Sequence, residues 1–412
     1  MEKTANISTF MGNIMPRMIK ILVLTDFSSG YSRSLLRGIV RYSQTVQGWT
    51  FYRMPLYYRM LHGDRGVVEW ARRWKADAII AQLSDIDIDV LRDLGIPIIV
   101  QNYRDRIPGV CNLTGDYVGT GRMAAEYFLG RGYVNYAYYG NSEPVWSRER
   151  CEGYSQRLEQ DGFTVHRYFE QQSDRQEGWV QNFDEVGRWL RSLPKPVALF
   201  ACDDHHALHI SETCKINEIA VPDEVAILGV DNDELMCRIS NPPLSSILID
   251  SENGGYTAGQ VLSELISRKV KEPFNITVAP LQIVPRESTQ KYVIKDKYVM
   301  KAVEYIEQNY MKPISVTSLL EFIPCSRRVF EKRFRANTGL PVYQFVQRYR
   351  IDIFADRLIS SGRSIDELAI SCGFEDFKNV SRVFLRYKGM TPSRFRKQHR
   401  HESDAPGEAE HS

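Results

Sequence analysis

Short apolar runs recur along the first two-thirds of the chain at the spacing of a parallel sheet. KILVLTDF (20–27) is followed by Ser28, Ser29 and Gly30 and then by a stretch of helical character over 32–42. AIIAQL (78–83), IPIIV (96–100), YAYYG (136–140), VALFA (197–201) and VAILGV (225–230) repeat the theme. Unbroken apolar runs of this length suit strands buried on both faces. Helical segments lie between them, at 119–130, 149–160 and 185–192. Strands alternating with helices predict βαβ units and a parallel sheet covered on both sides. About 270 residues are too many for one such sheet, so the pattern predicts a two-lobed α/β body.

After Pro285 the pattern changes. Strand-like runs stop, and a helical period takes over at Val299, Val303 and Ile306, then at Leu319, Leu320 and Ile323. The polar segment PRESTQKYVIKDK (285–297) marks the boundary. The expected organisation is a leader over 1–17, the α/β body over 18–286 and a linker over 287–297. An all-α domain over 298–399 and an acidic tail over 400–412, too polar to build a core, complete it.

Within the all-α region two helix-turn-helix units are legible. In the second, Ser364 and Glu367 form a capping box. Ile365, Leu368, Ala369 and Cys372 make one apolar face, and Gly373 sits where a helix needs a left-handed cap. The next helix, about 376–387, sets Val380, Val383 and Phe384 on one face. Lys378, Ser381, Arg382 and Leu385 lie on the other, with Asn379 beside them. In the first unit Ser315 caps one helix and Ser326 the next, where Phe330 and Phe334 form an i, i+4 core pair. Arg328, Lys332 and Arg335 stripe the far side, flanked by Arg327 and Glu331. Long cations at this spacing reach guanine edges or phosphates in a major groove.

Charge strengthens this reading. The net charge is +2, yet residues 291–400 carry an excess of about ten cations and leave the remainder acidic. A basic block on an acidic body fits a module that binds double-stranded DNA, although a solvated helical surface accounts for the charge alone. The seven cysteines are scattered without a C-x-x-C pair, which argues against a zinc ribbon or disulfide scaffold. No apolar run approaches a membrane span, and the first 17 residues lack the pattern of a signal peptide. A cytoplasmic protein without a membrane partner is expected.

The stretch 299–398 resembles the AraC/XylS-type DNA-binding domain. The match is strongest over SIDELAISCGFEDFKNVSRVFLRYKGMTPSRFRK (364–397) and extends to SRRVFEKRFRANTG (326–339). The resemblance implies two helix-turn-helix units joined by a long helix over 342–360, entering successive major grooves. It makes Arg327, Arg328, Glu331 and Lys332 the base readers of the first unit, and Lys378, Asn379, Ser381 and Arg382 those of the second. The first unit departs from the family in having Leu320 and Pro324 where a small residue and a glycine are usual. Proline cannot take a positive φ, so that turn must be built differently.

In a two-lobed α/β body, ligands bind beyond the carboxyl ends of the strands, between lobes. Candidates at strand ends are Asp26, Tyr31, Asp116, Trp146, Arg148, Arg150, Asp203 and Asp231. Carboxylates and guanidiniums take hydroxyls in pairs, and an aromatic face stacks on a sugar's C–H surface, so the set suits a polyol. Asp203 also fits as the cap of the helix that follows it. The body resembles the effector domain of LacI-type repressors, through GDYVGTGRMAAEYFLGRGYVNYAYYG (115–140), RERCEGY (148–154) and ILGVDNDELMCRISNPPLSSILID (227–250). On that pattern Arg150 and Asp231 are the leading sugar contacts. A LacI-like body with a C-terminal AraC-type domain resembles the xylose-responsive operon regulators, and the Tyr31–Arg33 and Trp146–Arg148 pairs fit that family. The resemblance implies D-xylose as effector, activation of catabolic genes through RNA polymerase, and a homodimer.

Other chemistries are weaker. Asp203, Asp204, His205, His206 and His209 have a metal-like look, but capping and solvation explain them and no third ligand is placed. No G-x-G-x-x-G, P-loop or G-x-S-x-G is present, so no cofactor is expected. An enzyme with a DNA-binding tail, and a regulator of a non-sugar ligand, remain the competing readings.

Overall fold

The apolar runs form strands and the segments between them form helices. The computed structural model describes residues 18–399, except 26–28, 47, 84–86, 171–178, 268–273, 291–293, 295, 375–376 and 389. The chain begins β1 (Ile19–Leu24), α1 (Gly30–Ser43), β2 (Trp49–Arg53), α2 (Leu56–Trp74), β3 (Ala78–Leu83), α3 (Ile88–Arg92), β4 (Ile98–Asn102) and β5 (Cys111–Gly115). It continues α4 (Tyr117–Leu129), β6 (Tyr136–Asn141), α5 (Val145–Glu159), β7 (Val165–Glu170), α6 (Trp179–Ser192), β8 (Val197–Ala201), α7 (Asp204–Ile216), β9 (Val225–Val230), α8 (Glu234–Ile239) and β10 (Ser245–Ile249). Then come α9 (Ser251–Ile266), β11 (Ile276–Val278), β12 (Pro280–Val284) and a 3-10 turn (Glu287–Thr289).

These elements make two α/β units. The first takes residues up to Gly115 and Asp250–Val278, with strand order β11-β5-β4-β3-β1-β2. The second begins at Asp116 and takes the rest, with strand order β12-β10-β9-β8-β6-β7. Advancing each first-unit strand from β1 to β5 by five positions maps one order onto the other, so the architecture is a repeated doubly wound sheet. Among the described pairings only β10–β12 is antiparallel. Every residue of β8 and β9 is fully buried, as the unbroken apolar runs require.

Close helix crossings brace each unit. In the second, a Cβ on Gly121 would stand 2.1 Å from the Arg150 carbonyl oxygen, and one on Gly153 would stand 2.0 Å from that of Val118. Only glycine lets α4 and α5 meet backbone to backbone. Gly38 and Gly255 do the same between α1 and α9 in the first unit.

Residues 287–289, which their polarity assigns to a linker, are built into the second unit. Ser288 and Thr289 are fully buried. The Ser288 hydroxyl donates to the Ile227 carbonyl at 2.7 Å and accepts from the Ser245 N–H at 2.8 Å. Such replacement of backbone partners makes burial of a hydroxyl affordable.

Beyond the turn the chain is helical: α10 (Lys297–Asn309), α11 (Val316–Leu320), α12 (Arg327–Thr338), α13 (Val342–Ser360), α14 (Ile365–Ser371), α15 (Phe377–Lys388) and α16 (Pro392–His399). Two small cores result. Val299, Ile306, Leu319, Phe330 and Phe334 pack with Val342, Phe345 and Val346 of α13. Leu368, Cys372, Val380, Phe384 and Phe395 pack with Ile351, Phe354 and Leu358 of the same helix. One helix thus spends its first half in one core and its second half in the other.

Candidate ligand site and nucleic-acid interface

The ends of β6, β8 and β9 and the start of α5 assemble a polar cluster in the second unit. Arg150 projects from α5, and its side chain is 4% exposed. Its Nη2 lies 3.5 Å from Asp231 Oδ1, its Nη1 donates to the Cys202 carbonyl, and its guanidinium carbon is 5.5 Å from the Tyr117 ring centroid. Burial raises the pKa of Asp231, against the opposing charge of Arg150. Arg150 Nε and Asp231 Oδ1 are both buried and accept or donate no hydrogen bond among the described residues. A buried cation paired with a half-buried anion, both with capacity left over, can take hydroxyls in pairs.

Asp203 and His206 flank this pair. Asp203 Oδ1 accepts from the His206 backbone N–H at 2.9 Å and from its Nδ1 at 2.7 Å, so Asp203 caps α7 as well as pairing with the ring. Burial alone would raise the pKa of Asp203, but the imidazolium beside it wins and holds it below the usual carboxylate range. The converse holds for His206, which burial would lower and Asp203 raises well above its ordinary value. Cys202, Asp203 and His206 place three potential metal donors within 4.8 Å of one another. The Asp203–His206 hydrogen bonds already engage two of the three.

A neighbouring carboxyl escaped the sequence reading as a functional element. Asp204 is 1% exposed. Its oxygens accept from Ser246 Oγ at 2.6 Å and from the Asp233 N–H at 2.7 Å. Burial, with Asp231 nearby, raises its pKa well above the ordinary value. It anchors the loop after β9, where Asp231 (φ 98°) and Asn232 (φ 49°) both take left-handed backbone. Two consecutive non-glycine residues in that region store strain of order 1–3 kcal/mol each, which such anchoring must offset.

The other expected contacts sit on several elements. Asp116 is exposed and caps α4, accepting from the Gly119 N–H at 2.8 Å. Trp146 is half-buried on α5. Arg148 folds back to donate to the Ser142 and Glu143 carbonyls, steadying the loop that precedes its helix. Tyr31 and Arg33 sit on α1 of the first unit, Tyr31 half-buried and Arg33 exposed. Asp26 lies outside the described residues.

In the helical region both units take the expected form. Ser364 and Glu367 form the reciprocal capping box, and Gly373 adopts φ +82°. The first unit turns without any left-handed residue between 320 and 326, which accommodates Pro324. Ser315 forms a capping box with Ser318. Ser326 occupies the N-cap of α12 in extended backbone, but its hydroxyl makes no capping bond; the Phe330 N–H to Ser326 carbonyl bond at 2.9 Å sets the helix start instead.

Arg327, Arg328, Glu331, Lys332 and Arg335 are all exposed, and they line one groove of about 750 Å³ with Pro341, Val342 and Tyr343 at the start of α13. Arg327 Nε is tied to Glu331 at 3.0 Å. On α15, Arg382 is exposed, whereas the Ser381 hydroxyl is turned away from solvent. The side chains of Lys378 and Asn379 lie outside the described residues.

The fold and the two helix-turn-helix units make this chain a DNA-binding transcription regulator that carries a sensor of the periplasmic-binding-protein type. Residues 125–289 match the model of a periplasmic binding protein-like domain, and residues 320–398 that of a helix-turn-helix domain. Over 92% of its length it is 26% identical to the xylose operon regulatory protein of Escherichia coli (strain K12), covering 96% of that protein. It is 27% identical to the protein of the same name from Haemophilus influenzae, over 92% of this chain and 98% of that one. The solved structure of the xylose-binding transcription activator xylR aligns with a TM-score of 0.60 and 24% identity, over 94% of this chain and 100% of that one. No described helix is long and apolar enough to cross a membrane.

Proposed function

We propose that the chain is a pentose-responsive activator, with D-xylose as its effector, acting as a cytoplasmic homodimer that recruits RNA polymerase to a catabolic operon. The observation that carries the effector reading is the pair of buried Arg150 and half-buried Asp231 with unused hydrogen-bonding capacity. The near full-length likeness to xylose operon regulatory proteins supports the choice of sugar. Asp203 is the next contact, with Asp26, Tyr31, Arg33, Asp116, Trp146 and Arg148 as further candidates.

A thermal-shift panel tests this. D-xylose is expected to raise the melting temperature and to be recovered unchanged; at a hundred times its Kd the gain is about 2.7 kcal/mol. If a different ligand class stabilises the protein and no pentose does, the effector assignment fails. Turnover of the sugar would instead make the chain an enzyme.

The helical region then reads the operator. Arg327, Arg328, Glu331, Lys332 and Arg335 serve the first recognition helix, and Lys378, Asn379 and Arg382 the second; Ser381, expected among them, turns its hydroxyl inward. Their helices occupy successive major grooves. Arg382→Ala is expected to cost about 1–3 kcal/mol of operator affinity and to relax preference at one base position. Equal weakening on every sequence would reduce Arg382 to a phosphate contact.

A further inference from the structure

A path of hydrogen bonds leads out of the ligand site through the residue beside Asp231. Asn232 directs its side-chain oxygen to Arg286, whose Nη2 donates to it at 2.7 Å. The Arg286 Nη1 donates to the Leu244 carbonyl at 2.7 Å, and its backbone N–H to Ser245 Oγ at 2.7 Å. Arg286 is the last residue before the 3-10 turn that starts the connector to the helical region. In that turn the Thr289 hydroxyl meets both Tyr127 OH and Ser245 Oγ at 2.6 Å, and its carbonyl accepts from Arg131 Nε at 3.3 Å. Arg131 is 7% exposed and stands 3.6 Å over the Tyr127 ring. Its charge reaches the helical region: burial and Glu304 push Glu307 of α10 up to about 7 while Arg131 opposes them. From Asn232 to Arg131 the links join groups of the second unit through directional hydrogen bonds and one short ring contact.

A ligand moves an equilibrium only by interacting differently with two states. The Asp231–Asn232 loop holds strain in its paired left-handed residues, so a changed contact at Asp231 bears directly on the backbone at Asn232. We propose that the Asn232–Arg286 hydrogen bond is the joint through which ligand at Asp231 sets the connector bearing the helix-turn-helix units. The proposal rests on the ligand site assigned above, and its test separates the two.

Asn232→Gly deletes the side-chain acceptor and keeps a residue at ease with a positive φ. Asn232→Asp retains an oxygen for Arg286. The measurements are D-xylose affinity by calorimetry, affinity for an operator selected in vitro with and without D-xylose, and amide exchange at 287–290 without sugar. In Asn232→Gly the connector amides are expected to exchange about tenfold faster than in the parent chain. Sugar affinity should stay within about threefold of the parent, while D-xylose no longer shifts operator affinity. Asn232→Asp should respond as the parent does. Unchanged connector exchange in Asn232→Gly, or a sugar response of parental size, overturns the proposal. If the parent chain binds no D-xylose, the effector assignment falls and the exchange measurement alone decides on the joint.

Discussion

Arg150→Met is expected to destabilise the second unit by about 3 kcal/mol and to abolish pentose binding together. The two losses share one cause. Arg150 is 4% exposed, so its removal leaves the Cys202 carbonyl and the Asp231 carboxylate without their cation. An unpaired buried charge costs more than the pair was worth. The cost sits at the low end of that range because the Asp231 side chain keeps 22% exposure and can rehydrate. Urea unfolding gives the first number and calorimetry with D-xylose the second. Adding Asp231→Asn should recover part of the stability, since no bare carboxylate remains, and none of the sugar affinity. Sugar binding that survives Arg150→Met would remove the pair from the site altogether.

Gly153→Ala should be as damaging without touching any ligand. The new methyl would lie 2.0 Å from the Val118 carbonyl oxygen, a backbone atom that cannot rotate away. Overpacking of this kind costs about 1–3 kcal/mol as the helices move apart. Arg150 stands on the same helix, one turn earlier, so displacing α5 drags the guanidinium off Asp231 and Cys202. The expected result is a lower urea midpoint together with weaker D-xylose binding. A variant that loses stability and binds sugar at full strength would show that α4 absorbs the shift instead.

Strand cores were legible where every residue is apolar, as in VALFA and VAILGV. Strands β2 (WTFYR) and β7 (VHRYFE) were not, because as edge strands they contain no fully buried residue and carry charge. β5 (CNLTG) and β10 (SSILI) hide for another reason: their polar side chains are buried, those of Asn112, Ser245 and Ser246 in hydrogen bonds, so polarity gives the wrong signal. The same error made a linker of 287–289. In the candidate ligand site, Arg150 and Asp231 were identified from motif position, and the structure brings them together across 81 residues of sequence. Asp204 was passed over for its neighbour Asp203, since nothing local tells a capping carboxylate from a buried one. Asn232 and Arg286 carried one usable hint, an Asp-Asn dipeptide after a strand, which favours left-handed backbone.

The shared use of α13 by both helical cores bears on how target sites can change over time. A single rod of 19 residues, about 28 Å long, fixes the separation and phase of the two recognition helices. Neither helix can slide along DNA to follow a partner site that has moved. Base substitutions within either subsite alter affinity by degrees, whereas inserting or deleting one base pair between them removes a whole subsite at once. Binding sites for such a protein therefore diverge in letters and stay constant in length.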